Sequence, residues 1–472
     1  MTRDAAIGAA LGHFDDGGFL RELTRRVAMR TESQNPQAGP EIDRYLADEI
    51  GPALKELGFE CRIMQNPHAG GWPMLVAERI EGAGLPTVLS YGHGDVVLGR
   101  PEEWRKGLDP WTVTREGDRL YGRGTADNKG QHSINIAALR SVLKTRGRLG
   151  FNCRYLIEMG EETGSPGLRE FCQQNRALLD ADVLIASDGP RSSVDRPTLF
   201  LGARGAFNFH MDVELRDGGH HSGNWGGLLA NPGIILAHAI ASITTARGKI
   251  LIPELLPPGI PDAVRRALAD IDHDGGPDAP EIDEDWGEPG LTIAEKVHAW
   301  NSFEVLAFRT GNPDNPVNAI PPRARATCQI RFTVGVDPHR FLEILRTHFD
   351  AHGFPMVKLS AARQAFANAT RLDPENPWAK FCEASLARST NKKTAVLPSL
   401  GGTLPNDVFA DDLGLPTIWV PHSYTGCSQH APNEHLLVPV AREALRLMAG
   451  LFWDLGEAGK RLGPNGPALA GG

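Results

Sequence analysis

The sequence has few cysteines, and none of them lies close to another. Its 472 residues include only Cys61, Cys153, Cys172, Cys328, Cys382 and Cys427. No Cys-x-x-Cys pair occurs, which argues against both a disulfide framework and a zinc site built from thiolates. We therefore expect these side chains to be small buried groups.

Long apolar runs and blocks of basic residues are absent as well. No segment approaches the roughly 18 uninterrupted apolar residues of a membrane-spanning helix, so we do not expect a membrane protein. The net charge of -9 and the lack of a Lys/Arg block argue against nucleic-acid binding. The N-terminal segment carries acidic side chains and lacks the basic start and apolar core of a secretory signal, which predicts a cytoplasmic protein.

What the sequence does contain is a regular alternation of β-rich and amphipathic segments. Strands are predicted at 59–64, 73–80, 86–95, 151–159 and 181–189, and helices at 41–57, 129–144 and 165–179. This order predicts a three-layer α/β/α domain with a mostly parallel sheet. Because single cores stop growing at about 250–300 residues, we expect a second domain in a chain of this length.

The pattern changes near residue 203. Later elements are alternating strands at 205–217 and 323–338, a helix at 339–353, a buried strand at 415–423 and a last helix at 439–455. Antiparallel strands with helices indicate an inserted α+β domain, which we assign to 203–365. The first domain then comprises 1–202 and 366–472. A stretch rich in Pro, Asp and Gly, 253–300, is predicted to be a long excursion.

Polar residues follow the predicted buried strands where each strand ends. They are His93, Asp95, Glu161, Glu162, Asp188 and His430, and Asp127 opens a predicted helix. Ligands bind at the carboxyl edge of α/β sheets, so these residues are expected to meet in one crevice. Imidazoles and carboxylates without a thiolate suit zinc, cobalt or manganese, and a shared carboxylate can hold two ions about 3.5–4 Å apart. The set predicts metal-assisted hydrolysis.

Each candidate residue has an ordinary structural explanation when it is considered alone. Adjacent glutamates such as Glu161 and Glu162 commonly occupy a solvated turn, Asp188 fits a helix cap, and Arg331 fits an exposed strand. A histidine on a predicted helix, such as His132, is usually structural. The segment GRGTADNKG does not match G-x-G-x-x-G, so a dinucleotide site is not expected. The convergence of several strand ends is what favours a metal site.

Seven motifs support a more specific interpretation. They are GHGDVV (92–97), LYGRGTADNKG (120–130), EMGEETGS (158–165), SDG (187–189), HHSGNWGG (220–227), NAIPPRARATCQIRFTVGVDP (318–338) and HAPNE (430–434). Together they resemble the co-catalytic zinc aminoacylase and exopeptidase superfamily, which includes carnosinase-like dipeptidases, succinyl-diaminopimelate desuccinylase and acetylornithine deacetylase. The long segment at 253–300 favours the carnosinase-like branch. The resemblance implies a catalytic domain with an inserted lid and dimerisation domain.

The resemblance also implies two zinc ions per subunit, with cobalt or manganese as alternatives. The implied metal ligands are His93, Asp127, Glu162, Asp188 and His430. Asp127 would bridge both ions. Asp95 would orient His93, because residues i and i+2 of an extended segment face the same way. Glu161 would be the general base, since it is free to move a proton while Glu162 is fixed on a cation.

Substrate contacts follow from the same resemblance. His221 matches a lid histidine that reaches the active site of the partner subunit and stabilises an oxyanion, which implies a homodimer. Arg331 matches an arginine that binds a substrate carboxylate through its planar fork of donors. Asn318 matches a lid position near the substrate, and Gly402 and Thr403 match a substrate-binding turn.

The function implied is hydrolysis of an amide bond by a metal-activated water with Glu161 as general base. The substrate would be a dipeptide or an N-acyl amino acid with a free carboxylate, which covers dipeptidase, carboxypeptidase and aminoacylase activities. One alternative is a deacylase of the deacetylase or desuccinylase type that acts on a single metabolite. Another is a non-catalytic metal-binding relative.

Overall fold

The computed structural model describes residues 1–272, 280–362, 366–459, 462–463 and 466–467. Its strands are β1 (Glu60–Met64), β2 (Met74–Arg79), β3 (Thr87–His93), β4 (Thr114–Glu116), β5 (Arg119–Tyr121), β6 (Asn152–Glu158), β7 (Val183–Ala186), β8 (Pro190–Arg191), β9 (Thr198–Phe200), β10 (Gly205–Glu214), β11 (His220–His221), β12 (Ser302–Thr310), β13 (Ala319–Ile320), β14 (Arg323–Phe332), β15 (Lys358–Ala361), β16 (Ala395–Leu397), β17 (Thr417–Trp419), β18 (Ser423–Tyr424), β19 (His435–Leu437), β20 (Leu462–Gly463) and β21 (Gly466–Pro467).

Eight strands form one large sheet in the order β1-β2-β6-β3-β7-β17-β9-β16. The central strands β6, β3, β7 and β17 run parallel to one another, and antiparallel pairs occur only towards the flanks. The central strands are apolar and buried, as sheets covered on both faces require. Because the central strands are parallel, their carboxyl ends lie along one edge of the sheet.

Helices cover both faces of this sheet and complete the three-layer α/β/α architecture predicted from the sequence. The helices of the described chain, including those of its inserted part, are α1 (Arg3–Asp15), α2 (Gly18–Ala28), α3 (Gly39–Arg44), α4 (Gly51–Lys55), α5 (Lys129–Arg146), α6 (Leu168–Gln174), α7 (Arg176–Leu179), α8 (Ser222–Trp225), α9 (Pro232–Ile243), α10 (Asp262–Leu268), α11 (Ile293–His298), α12 (Phe341–Ala351), α13 (Pro377–Thr390) and α14 (Val438–Ala458). Helices α1, α2, α5, α13 and α14 contribute to the core on one face, and α6 and α10 to the core on the other. Adjacent strand residues point to opposite faces, so Val88 joins the first core and Leu89 the second.

Some predicted helices differ in detail from the observed ones. The helix predicted at 41–57 is α3 and α4 joined by a π-helical turn, Tyr45–Ile50. The helix predicted at 165–179 is divided at Asn175, whose side-chain amide donates to the Phe171 carbonyl and competes with the helical backbone bonds. The long helices α5 and α14 lie where the spacing predicts them.

A smaller antiparallel sheet has the order β12-β14-β10-β15. Burial alternates along β10 and along β14, as predicted for half-exposed strands. Phe207, Phe209 and Met211 of β10 point to the buried face, which packs against α9 and α12. This sheet and its helices form the inserted α+β part of the fold.

The described parts of the segment at 253–300, residues 253–272 and 280–300, are more closely packed than a long excursion would be. It contains α10 and α11, and Val264 and Leu268 are buried against the large sheet. The spacing of these two apolar residues by four positions is the helical signal that the Pro, Asp and Gly content masks. The domain division at 203 and 365 stays a prediction, and residue 365 lies outside the described residues.

The cysteines are mostly buried, as predicted, with Cys61 as the exception. All six cysteines are free. Within the described ranges, no helix combines the length and the apolar character needed to cross a membrane.

Candidate active site

Four neighbouring parallel strands bring the predicted polar residues to one edge of the large sheet. His93 is the last residue of β3, and Glu161 and Glu162 lie in a 3-10 turn shortly after β6. The parallel register aligns His93 with Glu158 at the end of β6, so the glutamate turn begins beside the histidine. Asp188 follows β7, and His430 lies beyond β17, in the loop between β18 and β19. The convergence predicted from the strand ends is therefore present.

The ligating atoms form two triads that share Asp127. The first triad is His93, Asp127 and Asp188, and the second is Asp127, Glu162 and His430; within each triad the ligand atoms lie within 4.8 Å of one another. The Nε2 atom of His93 lies 3.0 Å from Oδ1 of Asp127 and 3.6 Å from Oδ2 of Asp188. The Nε2 atom of His430 lies 3.0 Å from Oδ2 of Asp127 and 3.0 Å from Oε2 of Glu162.

This geometry fits a pair of divalent cations. Each oxygen of Asp127 faces a different imidazole, so one carboxylate can contribute to both triads. Each triad combines one imidazole with two carboxylates, a donor set that suits zinc, cobalt or manganese. In the described part of the chain, the two triads contain no thiolate.

The charges in the cluster favour cations as well. Burial and the nearby Asp127 carboxylate raise the pKa of Glu162 to about 7, against the lowering effect of its bond with His430. Burial also raises the pKa of Glu161 well above its usual value. Hydrogen bonds with Asp127 and Glu162 raise the pKa of His430 to about 11. Buried carboxylates outnumber the imidazoles that face them, and bound cations would offset this charge.

Asp95 is fully buried and organises the neighbouring groups. Its Oδ1 lies 3.3 Å from Nδ1 of His93, next to a 3.1 Å contact between that Nδ1 and the Asp95 carbonyl. Its two carboxylate oxygens accept backbone N–H groups from Glu161 at 3.2 Å and from Glu162 at 3.1 Å. Asp95 therefore contacts the histidine as predicted, and it also fixes the turn that carries both glutamates.

Several further polar residues were not identified from the sequence. The Gln429 side chain donates to Oδ2 of Asp127. The Asn128 amide donates to the Ser187 carbonyl at 2.8 Å, and its oxygen lies 3.1 Å from Nδ1 of His132. Only their positions next to Asp127, Asp188 and His430 could have suggested these residues, because polar side chains such as Asn and Gln have no distinctive pattern.

The predicted carboxylate-binding residues form a separate group. Nη1 of Arg331 donates to Oγ1 of Thr403 at 2.6 Å, and Nε of Arg331 donates to Gln329 at 3.0 Å. Arg204, which the sequence interpretation missed, donates to the Gly401 carbonyl at 3.0 Å. Burial and the adjacent Arg331 guanidinium lower the pKa of Arg204 to about 10, against the raising effect of Glu304. In the described part of the chain, neither guanidinium has a carboxylate within ion-pair distance.

His221 and Asn318 lie together on exposed chain. His221 pairs with Ala319 across β11 and β13, and the Asn318 carbonyl accepts the Ser222 N–H at 2.9 Å. The His221 ring accepts a bond from the Gly223 N–H at 3.2 Å. Among the described residues, no hydrogen bond or ion pair links His221 to the two triads. Within one chain, the structure thus brings together the predicted metal ligands but not His221.

Comparison with known proteins identifies the family to which this chain belongs. A model of peptidase family M20/M25/M40 matches residues 89–454. The chain belongs to this peptidase family. The match includes every residue of the two triads, and the resemblance inferred from the seven motifs is confirmed.

Relatives within the M20 family include named dipeptidases. The chain is 35% identical to mouse Beta-Ala-His dipeptidase over 249 residues, about half the length of each protein. It is 24% identical to the Cysteinylglycine-S-conjugate dipeptidase of Corynebacterium striatum, over 82% of this chain and 84% of the relative. The mammalian alignment therefore spans only about half the length of that relative.

Solved M20 structures have the same fold. The M20 family metallo-carboxypeptidase Sso-CP2 from Sulfolobus solfataricus superposes with a TM-score of 0.78 at 25% identity, covering 93% of this chain and 99% of that one. Human carnosine dipeptidase 1 superposes with a TM-score of 0.77 at 20% identity, covering 96% and 99%. At that identity, the second comparison establishes the fold alone.

Proposed function

We propose that this protein is a dinuclear metallopeptidase that hydrolyses the amide bond of a dipeptide or a similar N-acyl amino acid with a free carboxylate. The observation that carries the proposal is the pair of triads that share Asp127. The names of the relatives favour a dipeptide over other acylated amino acids. Zinc is the expected metal, with cobalt or manganese as alternatives.

The proposed chemistry assigns a different task to each of the two adjacent glutamates. Two bound cations would polarise the scissile carbonyl and make a water molecule more acidic. Glu161 belongs to neither triad, and its Oε2 lies 3.9 Å from Nε2 of His93. Its carboxylate is therefore available to take a proton from the attacking water and deliver it to the leaving amine. Glu162 remains a ligand, held in place by its contact with His430.

Recognition of a substrate carboxylate is assigned to Arg331. Its Nε and Nη1 are bound by neutral groups, Gln329 and Thr403, so no acidic group within the described residues neutralises its charge. The adjacent Arg204 adds a second positive charge. The two guanidinium groups repel each other, although the Glu304 carboxylate offsets part of the charge of Arg204, and a bound carboxylate would relieve the remaining repulsion. Gly402 belongs to the same turn as Thr403, which supports the assignment of both to substrate binding.

A homodimer would allow His221 to act on the active site of a partner subunit, close to Asn318. The supporting observation is an exposed apolar surface on the inserted part of the fold. Strand β12 is an edge strand of the smaller sheet, and its Val305, Leu306 and Phe308 side chains are more than one-third exposed. An exposed apolar edge of this kind offers a surface on which another chain can pair. The cytoplasmic location expected from the sequence remains a prediction.

The direct test combines metal analysis with a substrate panel. We expect two zinc ions per chain, loss of turnover after chelation and recovery when zinc, cobalt or manganese is restored. Dipeptides, acetyl amino acids and succinyl amino acids should be assayed together, with C-terminally amidated dipeptides as the matched control for Arg331. Turnover of a single acylated metabolite and of no dipeptide would favour the specific deacylase. Two bound ions with no hydrolysis of any substrate would favour a binding protein.

A further inference from the structure

Glu434 lies four residues after His430, in the HAPNE motif, and has no contact that makes it a ligand in either triad. Its side chain is almost completely buried. Its Oε1 accepts three backbone N–H groups, from Gly124 at 3.0 Å, from Ala126 at 3.0 Å and from Asp127 at 3.1 Å. One carboxylate oxygen thus binds the backbone of the loop that carries the shared ligand.

The other oxygen of Glu434 is also bound. Its Oε2 accepts a 2.7 Å bond from Nη1 of Arg123, whose guanidinium lies 5.7 Å from the ring centre of Trp104. The Glu434 carbonyl accepts the Gly122 N–H at 3.0 Å, so both main chain and side chain connect the two segments. These contacts join residues about 310 positions apart in the sequence.

We propose that Glu434 is a positioning residue that sets where the Asp127 carboxylate stands relative to His430. The inference rests on the proposed function, since it concerns the site for two cations. Three N–H groups that converge on one oxygen form a concave anion site, which restricts the direction of the loop. Because His430 is in the same loop as Glu434, this contact also fixes the separation of the two ligands. Metal sites tolerate an error of only about 0.5 Å in ligand position.

A purely structural role is the competing explanation, because any buried ion pair is destabilising when one partner is removed. Asp454 offers a matched control. It is nearly buried on α14, where Oδ1 accepts from Nε of Arg3 at 2.9 Å and Oδ2 from the Ser385 hydroxyl at 2.6 Å. It has no contact with either triad. Glu434→Gln and Asp454→Asn therefore remove the same charge from two buried networks, only one of which contacts a metal ligand.

The experiment measures zinc binding to the purified full-length chain in chelator-buffered zinc solutions, together with the thermal stability of the zinc-free protein. For Glu434→Gln we expect the affinity for at least one of the two ions to fall about 10- to 100-fold. Asp454→Asn should keep the wild-type affinity for both ions even if its zinc-free stability falls as much. Activity of Glu434→Gln should recover at high zinc, because its other catalytic groups are intact.

Unchanged zinc affinity in Glu434→Gln would overturn the inference, as would an equal loss of affinity in Asp454→Asn. Should Glu434→Gln fail to fold, Glu434→Asp keeps the charge for Arg123 but is too short to keep all four contacts. It is expected to bind zinc more weakly, and wild-type affinity would overturn the inference. A wild-type protein that does not bind two ions would refute the proposed function itself, so the two failures are distinguishable.

Discussion

The exposed position of His221 leads to a prediction about two inactive variants. In one chain His221 has no contact with the triads, whereas Glu161 lies beside them. If His221 serves the partner's active site, a mixed dimer of Glu161→Gln and His221→Ala subunits contains one site with both substitutions and one site with neither. The second site is intact. Separately, we expect the first variant to lose about 10²–10⁴-fold in turnover and the second about 10²–10³-fold.

The expected hydrolytic activity follows from the fraction of active sites that are intact. Random association of equal amounts gives about half mixed dimers, each with one intact site of two, so the unseparated mixture should reach about one quarter of the wild-type activity and the isolated mixed dimers about half. The assay is dipeptide hydrolysis after the two variants, carrying different affinity tags, are co-expressed and the mixed dimers are isolated. A mixture of Glu161→Gln with Glu161→Ala is the control and should remain inactive. Inactive isolated mixed dimers would refute a role for His221 in the partner's site, as would a wild-type protein that is monomeric.

Three further predictions concern charge. Chelation should lower the melting temperature, because an ion present at 100 times its dissociation constant contributes about 2.7 kcal/mol; an unchanged melting temperature would contradict the metal site. Arg331→Met should lower kcat/KM for dipeptides about 10- to 100-fold and have little effect on amidated dipeptides; equal losses would contradict carboxylate binding. Glu22, close to Arg140 and His13, has a pKa lowered to about 2 by these partners against the effect of burial. Since that pKa lies below its usual 4.5, the stabilisation is present above about pH 4.5 and is lost as the pH falls towards 2. Urea unfolding should show Glu22→Gln less stable by about 1–2 kcal/mol at pH 7, after allowance for solvent screening, and a difference that persists at pH 2 would contradict this.

The sequence predicted the positions of site residues best where those residues lie at the ends of parallel strands. His93, Glu161, Glu162 and Asp188 lie at or shortly after the carboxyl ends of β3, β6 and β7, and neighbouring parallel strands end at the same edge. For such residues, a correct assignment of the strand nearly determines where the residue lies in the fold. The structure adds little to these four beyond their distances.

Contacts between loops were beyond this reasoning. The Asp127 and His430 loops meet through Glu434, and no periodicity predicts a contact between residues about 300 positions apart. Arg204 is a similar case, since a single arginine between two small residues has no distinctive pattern. Helices α1 and α2 were also not predicted; the buried residues of α1 are only Ala6, Ile7 and Ala10, which give a weak amphipathic pattern.

The two adjacent glutamates depend both on the end of a strand and on a contact between distant segments. Their place at the end of β6 follows from the strand, but their different directions depend on Asp95, 66 and 67 positions away in the sequence. Because one Asp95 oxygen binds the Glu161 N–H and the other binds the Glu162 N–H, the backbone of the turn is held at two successive residues. Glu162 then reaches His430 while Glu161 stays near His93 without joining a triad. The proposed separation of ligand from base is thus built into the turn by a third carboxylate, and Asp95→Asn, which replaces one accepting oxygen with a donor, should disturb both glutamates together.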